Sequence, residues 1–264
     1  MSLVLALTVL SAAGQTLAGS LVEFANVLEH AKPARLSGYL SQPDGAGPFP
    51  AVVVLHGCGG ISSHSIGIAD ELTRWGYVAL TVDSFGPRAM TDACGRLFIG
   101  QATDAYAAAR FLAQQPAVDQ ERIAMLGQSM GGSSALAALE RGSIERRFAE
   151  KFVAAIAYYP SCSGHPATLT APTLILIGAA DDLNRAEACR EMTSLPHPDG
   201  TEIELVVYPR AYHAFDVDWF QPGRDVRGHW FGYNAAATDD ARDRVRSFLE
   251  KNFNRRTPVN RNGG

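Results

Sequence analysis

The sequence predicts an α/β domain built on a mostly parallel sheet covered by helices on both faces. Three observations predict it. Apolar strand-like runs alternate along the chain with longer helix-like stretches, the pattern of βαβ units. Residues 51–55 form a continuous apolar run, as a strand buried on both faces must. Around Gly127-Gln128-Ser129-Met130-Gly131-Gly132, a strand-like segment (122–126), a glycine turn and a helix-like segment (133–139) follow one another directly. The chain has 264 residues, 47% of them hydrophobic, enough to bury one large core. No internal repeat or interdomain linker interrupts it, so residues 19–264 are expected to form a single domain.

In chain order, the first stretch (1–13) is apolar but too short to span a bilayer as a helix. It has the length of a signal-peptide core, with small residues up to Ala18, although no Lys or Arg precedes it. Residues 1–18 are therefore expected to be a leader and the protein periplasmic or secreted. The alternative is an N-terminal helix or strand of a cytoplasmic protein. Residues 36–40 alternate as a strand and run into a Pro/Gly turn at 42–50. The strand at 51–55 follows, then helical spacing over 65–75 that ends at Gly76, then a strand at 77–82. Residues 99–114 are alanine-rich and helical, stopping before Pro116. Residues 123–126 form the strand that enters the glycine turn. Strands are expected at 153–158, 173–177 and 203–208, with a helix at 186–195. A last amphipathic helix at 239–253 carries the stripe Val245, Phe248, Leu249 and Phe253, a core-packing face. The short basic tail from 251 to 261 reads as a solvated end.

Net charge is −4, with no basic field to hold nucleic acid, so that class of partner is excluded; none is expected from a membrane either. The four cysteines allow three pairings. Cys58 and Cys94 fall just beyond adjacent strand-like runs, as more loosely do Cys162 and Cys189. In an exported protein the expected bridges are Cys58–Cys94 and Cys162–Cys189; in a cytoplasmic one, four thiols. No C-x-x-C or His/Cys cluster is present, so no metal is expected.

The turn at 127–131 reads G-x-S-x-G. The five letters alone are weak, but between a strand and a helix they describe a nucleophile elbow. The glycines let the backbone bend sharply and put Ser129 at the tip, near a helix N-terminus that favours developing negative charge. A serine hydroxyl needs a base, and the base needs an orienting acid. In this architecture they follow in the order Ser, acid, His. The strand at 173–177 ends in Gly178-Ala179-Ala180-Asp181-Asp182, and the strand at 203–208 in a loop holding Tyr212-His213-Ala214-Phe215-Asp216. His213 is the expected base. Asp181 is the expected acid on its position relative to Gly178; Asp182 is the alternative, since two adjacent carboxylates cannot both face one imidazole. His165, His197 and His229 are expected on the surface. The oxyanion donors are expected to be the N–H of Met130 and that of Cys58, or of Gly57, in the loop His56-Gly57-Cys58-Gly59-Gly60; His56 itself is expected to be structural. Arg88 could hold a substrate carboxylate or form a salt bridge within its loop. Gln128, Tyr159, Tyr212 and Trp219 are candidate pocket walls.

These pieces together resemble the dienelactone hydrolase family of the α/β-hydrolase fold. The matching stretches are 48–57, 75–80, 83–86, the elbow at 127–132 and Tyr212-His213-Ala214-Phe215-Asp216, within a span of roughly 34–253. The resemblance implies a mostly parallel sheet of about eight strands, a catalytic triad, a small-molecule ester or lactone substrate and no cofactor. The founding members carry cysteine as nucleophile where this chain has Ser129, which turns the expectation from dienelactones toward general esters and lactones. A monomer or small homo-oligomer is expected. The alternatives are a dienelactone hydrolase and a non-catalytic binding protein on the same fold.

Overall fold

The computed structural model describes residues 19–28, 34–96, 98–165, 168–197 and 200–255. The expected leader (1–18) and residues 256–261 of the basic tail lie outside them. An eight-stranded sheet forms the centre, built from β1 (Ser20–Ala25), β2 (Arg35–Ser41), β3 (Phe49–Leu55), β4 (Val78–Asp83), β5 (Val118–Gln128), β6 (Ala155–Tyr158), β7 (Thr173–Gly178) and β8 (Ile203–Tyr208). Its order is β1-β2-β4-β3-β5-β6-β7-β8. β2 is antiparallel to both β1 and β4, and every pairing from β4 across to β8 is parallel. Five helices accompany it among the described residues: α1 (Ser63–Arg74), α2 (Gly100–Ala113), α3 (Met130–Leu139), α4 (Ala186–Ser194) and α5 (Ala235–Phe253). A separate hairpin joins β9 (Arg224–Val226) to β10 (His229–Phe231).

The apolar runs become the central strands because both of their faces are covered. Residues 51–55 of β3 have no exposed surface, and residues 174–177 of β7 are equally buried. On one face α2 packs against α3. Its Ala105, Ala107, Ala108 and Ala109 are buried, and their small size permits the close approach, while the Tyr106 hydroxyl donates to the Ala138 carbonyl at 2.7 Å. α1 and α5 meet elsewhere, through an Arg242–Glu71 ion pair, and Tyr77 lies 5.1 Å from Phe253 of α5.

Several elements differ from the sequence expectation, among them the unforeseen β9–β10 hairpin and β5, which begins at Val118 rather than 123. β1 was not foreseen; only its Phe24 is buried, against Phe111 at 5.3 Å, so its apolar signal is thin. α1 starts at Ser63 because the Ser62 hydroxyl accepts the Ser65 N–H at 3.3 Å. α5 starts four residues before its amphipathic pattern, at a cap in which Asn234 accepts the Ala237 N–H at 3.1 Å.

The chain leaves β3 through α1 to β4 on one side, then returns through α2 to β5 on the other. The strand order reverses at that point, and a crevice opens at the carboxyl ends of β3 and β5. Both expected disulfides are formed. Cys58–Cys94 ties the loop after β3 to the segment before α2, and Cys162–Cys189 ties the loop after β6 to α4.

A Cβ on Gly178 would lie 2.1 Å from the Ala211 carbonyl oxygen, whereas one on Gly67, exposed within α1, meets nothing within 4 Å. Gly178→Ala should therefore cost about 2–3 kcal/mol, and Gly67→Ala should stabilise by about 0.5–1 kcal/mol, both read by chemical denaturation. Loops of 36 and 27 residues are closed by the two bridges. Removing either cysteine pair should cost about 3–4 kcal/mol by chain entropy, seen as a lower Tm than wild type.

Candidate active site

Ser129 sits between β5 and α3 with φ of 53° and ψ of −113°, a positive-φ conformation rare for a residue with a side chain. The glycines around it answer to close packing. A Cβ on Gly127 would meet the Gly131 carbonyl oxygen at 2.1 Å, and one on Gly131 would meet that of Leu55 at 2.2 Å. The elbow is also held by the Ser129 N–H, which donates to the Tyr158 carbonyl at 2.9 Å.

The serine hydroxyl lies 2.9 Å from His213 Nε2. His213 Nδ1 lies 2.7 Å from Asp181 Oδ2. A carboxylate accepts, so the ring proton on this side belongs to Nδ1 and leaves Nε2 free to accept from the serine. The other Asp181 oxygen accepts the N–H groups of Leu183 (3.0 Å) and Asn184 (2.8 Å), which fixes the carboxylate. Both His213 and Asp181 are buried. The imidazole packs against the rings of Tyr159 and Phe231, each with its centroid 4.8 Å away. Asp182 turns the other way. It accepts the Trp230 N–H at 3.2 Å and lies 3.6 Å from His229 Nδ1, so it anchors the β9–β10 hairpin.

The loop after β3 lies beside the serine. A Cβ on Gly57 would be 3.8 Å from Ser129 Cβ, and Gly57 and Cys58 both line the cleft. The carbonyls of both are occupied within the loop region: Gly57's accepts from Gly60 N–H (3.1 Å) and Cys58's from Ala93 N–H (2.8 Å). Met130 follows Ser129 as the first residue of α3, so its N–H belongs to the unsatisfied first turn of a helix. His56 has no exposed surface and its ring bridges the Gly57 carbonyl and the Ser84 N–H, a structural position. Burial pushes its pKa down.

Of the expected pocket walls, Gln128, Tyr159 and Trp219 line a cleft of about 430 Å³ over Ser129, while Tyr212 packs outside it near Trp230. Arg88 is also outside the cleft. Its guanidinium makes two 2.8 Å bonds to the buried Asp104 carboxylate of α2 and donates to the Ser84 carbonyl, so it is spent on an internal ion pair. The alternative of a substrate-carboxylate contact at Arg88 is thereby corrected. His229 does border the cleft, against the expectation of a surface site. His165 pairs with Glu140 at 2.5 Å, away from it.

Sequence reasoning missed His64, in the first turn of α1. It lines the cleft, and its Nε2 lies 3.0 Å from Asp216 Oδ2. The second Asp216 oxygen accepts from the Tyr159 hydroxyl at 2.8 Å. Burial alone would lower the His64 pKa, but the Asp216 charge beside it leaves it raised. Burial and Asp216 hold the Tyr159 hydroxyl well above its usual range, so it keeps its proton and donates. The position of His64 just after the glycine loop was the one available signal.

No helix among the described residues is long and apolar enough to cross a membrane, and no group of three or more His, Cys, Asp or Glu among them could hold a metal ion.

Comparison with known proteins agrees with this architecture. The family model for the dienelactone hydrolase family matches residues 36–253. A probable 2-oxo-3-(5-oxofuran-2-ylidene)propanoate lactonase from a Bradyrhizobium species is 30% identical over 194 residues, 67% of this chain and 77% of that protein. Among solved structures, a dienelactone hydrolase-like promiscuous phosphotriesterase from metagenomic libraries superposes with a TM-score of 0.70 at 21% identity, covering 89% of this chain and 99% of that one. A thermophilic esterase of Thermogutta terrifontis, solved with propionate bound, gives a TM-score of 0.65 at 20% identity, covering 89% and 94%. At these identities the two structures speak for the fold, while the family match and the Bradyrhizobium relative speak for kinship. The chain belongs to the dienelactone hydrolase family and is a carboxylic ester hydrolase.

Proposed function

We propose that this chain is a serine hydrolase that cleaves carboxylic esters or lactones through an acyl-enzyme. The observation that carries the proposal is the continuous line of hydrogen-bond distances from Ser129 Oγ through His213 to Asp181, 2.9 Å and then 2.7 Å. His213 Nε2 takes the serine proton as Oγ attacks the substrate carbonyl. The oxygen of the tetrahedral intermediate is held by the N–H groups of Met130 and Cys58. Collapse expels the alcohol, which receives its proton from His213. Water then attacks the acyl-enzyme by the same route in reverse, releasing the acid and restoring Ser129. Throughout, Asp181 orients the imidazole and stabilises its protonated form. Gln128 and Tyr159 shape the wall beside the nucleophile.

The same steps open a lactone, in which the leaving alcohol stays tethered to the acyl group. The Bradyrhizobium relative, a probable lactonase, favours including cyclic esters. We further infer that the protein works in the periplasm or outside the cell. Its two disulfides support this, since cytosolic thiols are generally kept reduced.

Wild type should label covalently with a fluorophosphonate and hydrolyse 4-nitrophenyl butyrate, and Ser129→Ala should lose both, with kcat down by about 10³-fold or more. A folded wild type that neither labels nor turns over would favour a non-catalytic binding protein. The two adjacent carboxylates separate by kinetics. Asp181→Asn should lower kcat by about 10³–10⁴-fold, whereas Asp182→Asn, which loosens only the hairpin anchor, should change kcat/KM by less than about tenfold. The reverse ranking would move the acid role to Asp182.

A further inference from the structure

Among the described residues, every basic side chain bordering the cleft faces a carboxylate. His213 faces Asp181 at 2.7 Å, and His64 faces Asp216 at 3.0 Å. His229 lies 3.6 Å from Asp182. Arg227, at the tip of the β9–β10 hairpin, lies 3.8 Å from Asp92 and donates to the Cys94 carbonyl at 3.0 Å. Asp218 adds a further negative charge near His64. These carboxylates lie behind the lining; among the described residues the cleft has one permanent cation, Arg227, since Arg88 is outside the cleft and bound to Asp104. The same cleft is lined by the apolar side chains of Val217, Trp219, Phe220, Val226 and Phe231.

A substrate carboxylate entering this space would meet no unpaired cation. It would shed water against apolar side chains and find the histidines and Arg227 already facing carboxylates, and both disfavour an anion. An uncharged acyl chain would instead exchange water for the apolar wall. We propose that the cleft selects esters whose acyl group is uncharged and apolar, and rejects acyl groups that end in a carboxylate. The proposal rests on the serine-hydrolase function above and narrows its substrate class.

The test compares 4-nitrophenyl hexanoate with mono-4-nitrophenyl adipate, two esters of equal chain length in which a terminal methyl is replaced by a carboxylate. Active enzyme is counted beforehand by fluorophosphonate labelling. The hexanoate kcat/KM should exceed that of the adipate by about 100-fold or more. Asp92→Asn keeps a side-chain oxygen to accept the Cys94 N–H but frees Arg227 from its carboxylate. It should narrow the ratio by about two- to fivefold, through faster adipate turnover. A wild-type ratio within threefold, or a preference for the adipate, would overturn the substrate class while leaving a labelled serine hydrolase intact. Failure to label together with failure to cleave either ester would overturn the serine-hydrolase function itself, and this proposal with it.

Discussion

The carboxyl ends of β3 and β5 approach so closely that no side chain fits between them and the first turn of α3. The Gly131 Cα faces the Leu55 carbonyl, and Gly127 faces Gly131. This contact goes with the positive-φ turn at Ser129, a conformation that would cost about 1–3 kcal/mol in isolation. The strain is tolerated because the surrounding backbone over-determines it: the Ser129 N–H is tied to β6 and its carbonyl accepts the Ser133 N–H. From that one constraint the serine is lifted out of the sheet edge, the loop after β3 is brought alongside it, and the first N–H groups of α3 are left facing the same space.

Around this fixed point the remaining groups arrive from separate strands. β7 delivers Asp181 and β8 delivers His213, and their loops lock where Gly178 passes under Ala211. The β9–β10 hairpin then closes the arrangement from above through three attachments: Trp230 to Asp182, Phe231 to the His213 backbone and ring, and Arg227 to the segment holding Cys94. The Cys58–Cys94 bridge joins that segment back to the glycine loop. One ring of contacts therefore connects Asp181, His213, the hairpin and the proposed oxyanion loop.

The electrostatic character of the cleft follows from the same closure. Each histidine or arginine brought to its rim arrives with a carboxylate partner, so the charges of the rim satisfy one another. The apolar residues of 217–231 line the same cleft as Ser129.

Much of this was legible in the sequence because it is local. A buried strand, a glycine turn and a helix are encoded within about fifteen consecutive residues, so Ser129 and its elbow could be read directly, as could the order in which Asp181 and His213 follow. The sequence by itself also determined the alternation of strands and helices, and hence the parallel sheet with its functional groups at one edge. Only the tertiary structure decided what depends on distant partners. Asp181 and Asp182 are equivalent as letters, and separate only when the turn N–H groups fix one toward His213 and Trp230 claims the other. Arg88 follows a strand toward the right edge, but Asp104 from α2 takes its guanidinium. His64 meets Asp216 across 152 residues, and the three-residue strands of the hairpin are too short to carry a period. Local backbone preferences and hydrophobic periodicity act over a few residues; the pairing of charges and the closing of a cleft act across the fold, and no short stretch of sequence holds both partners.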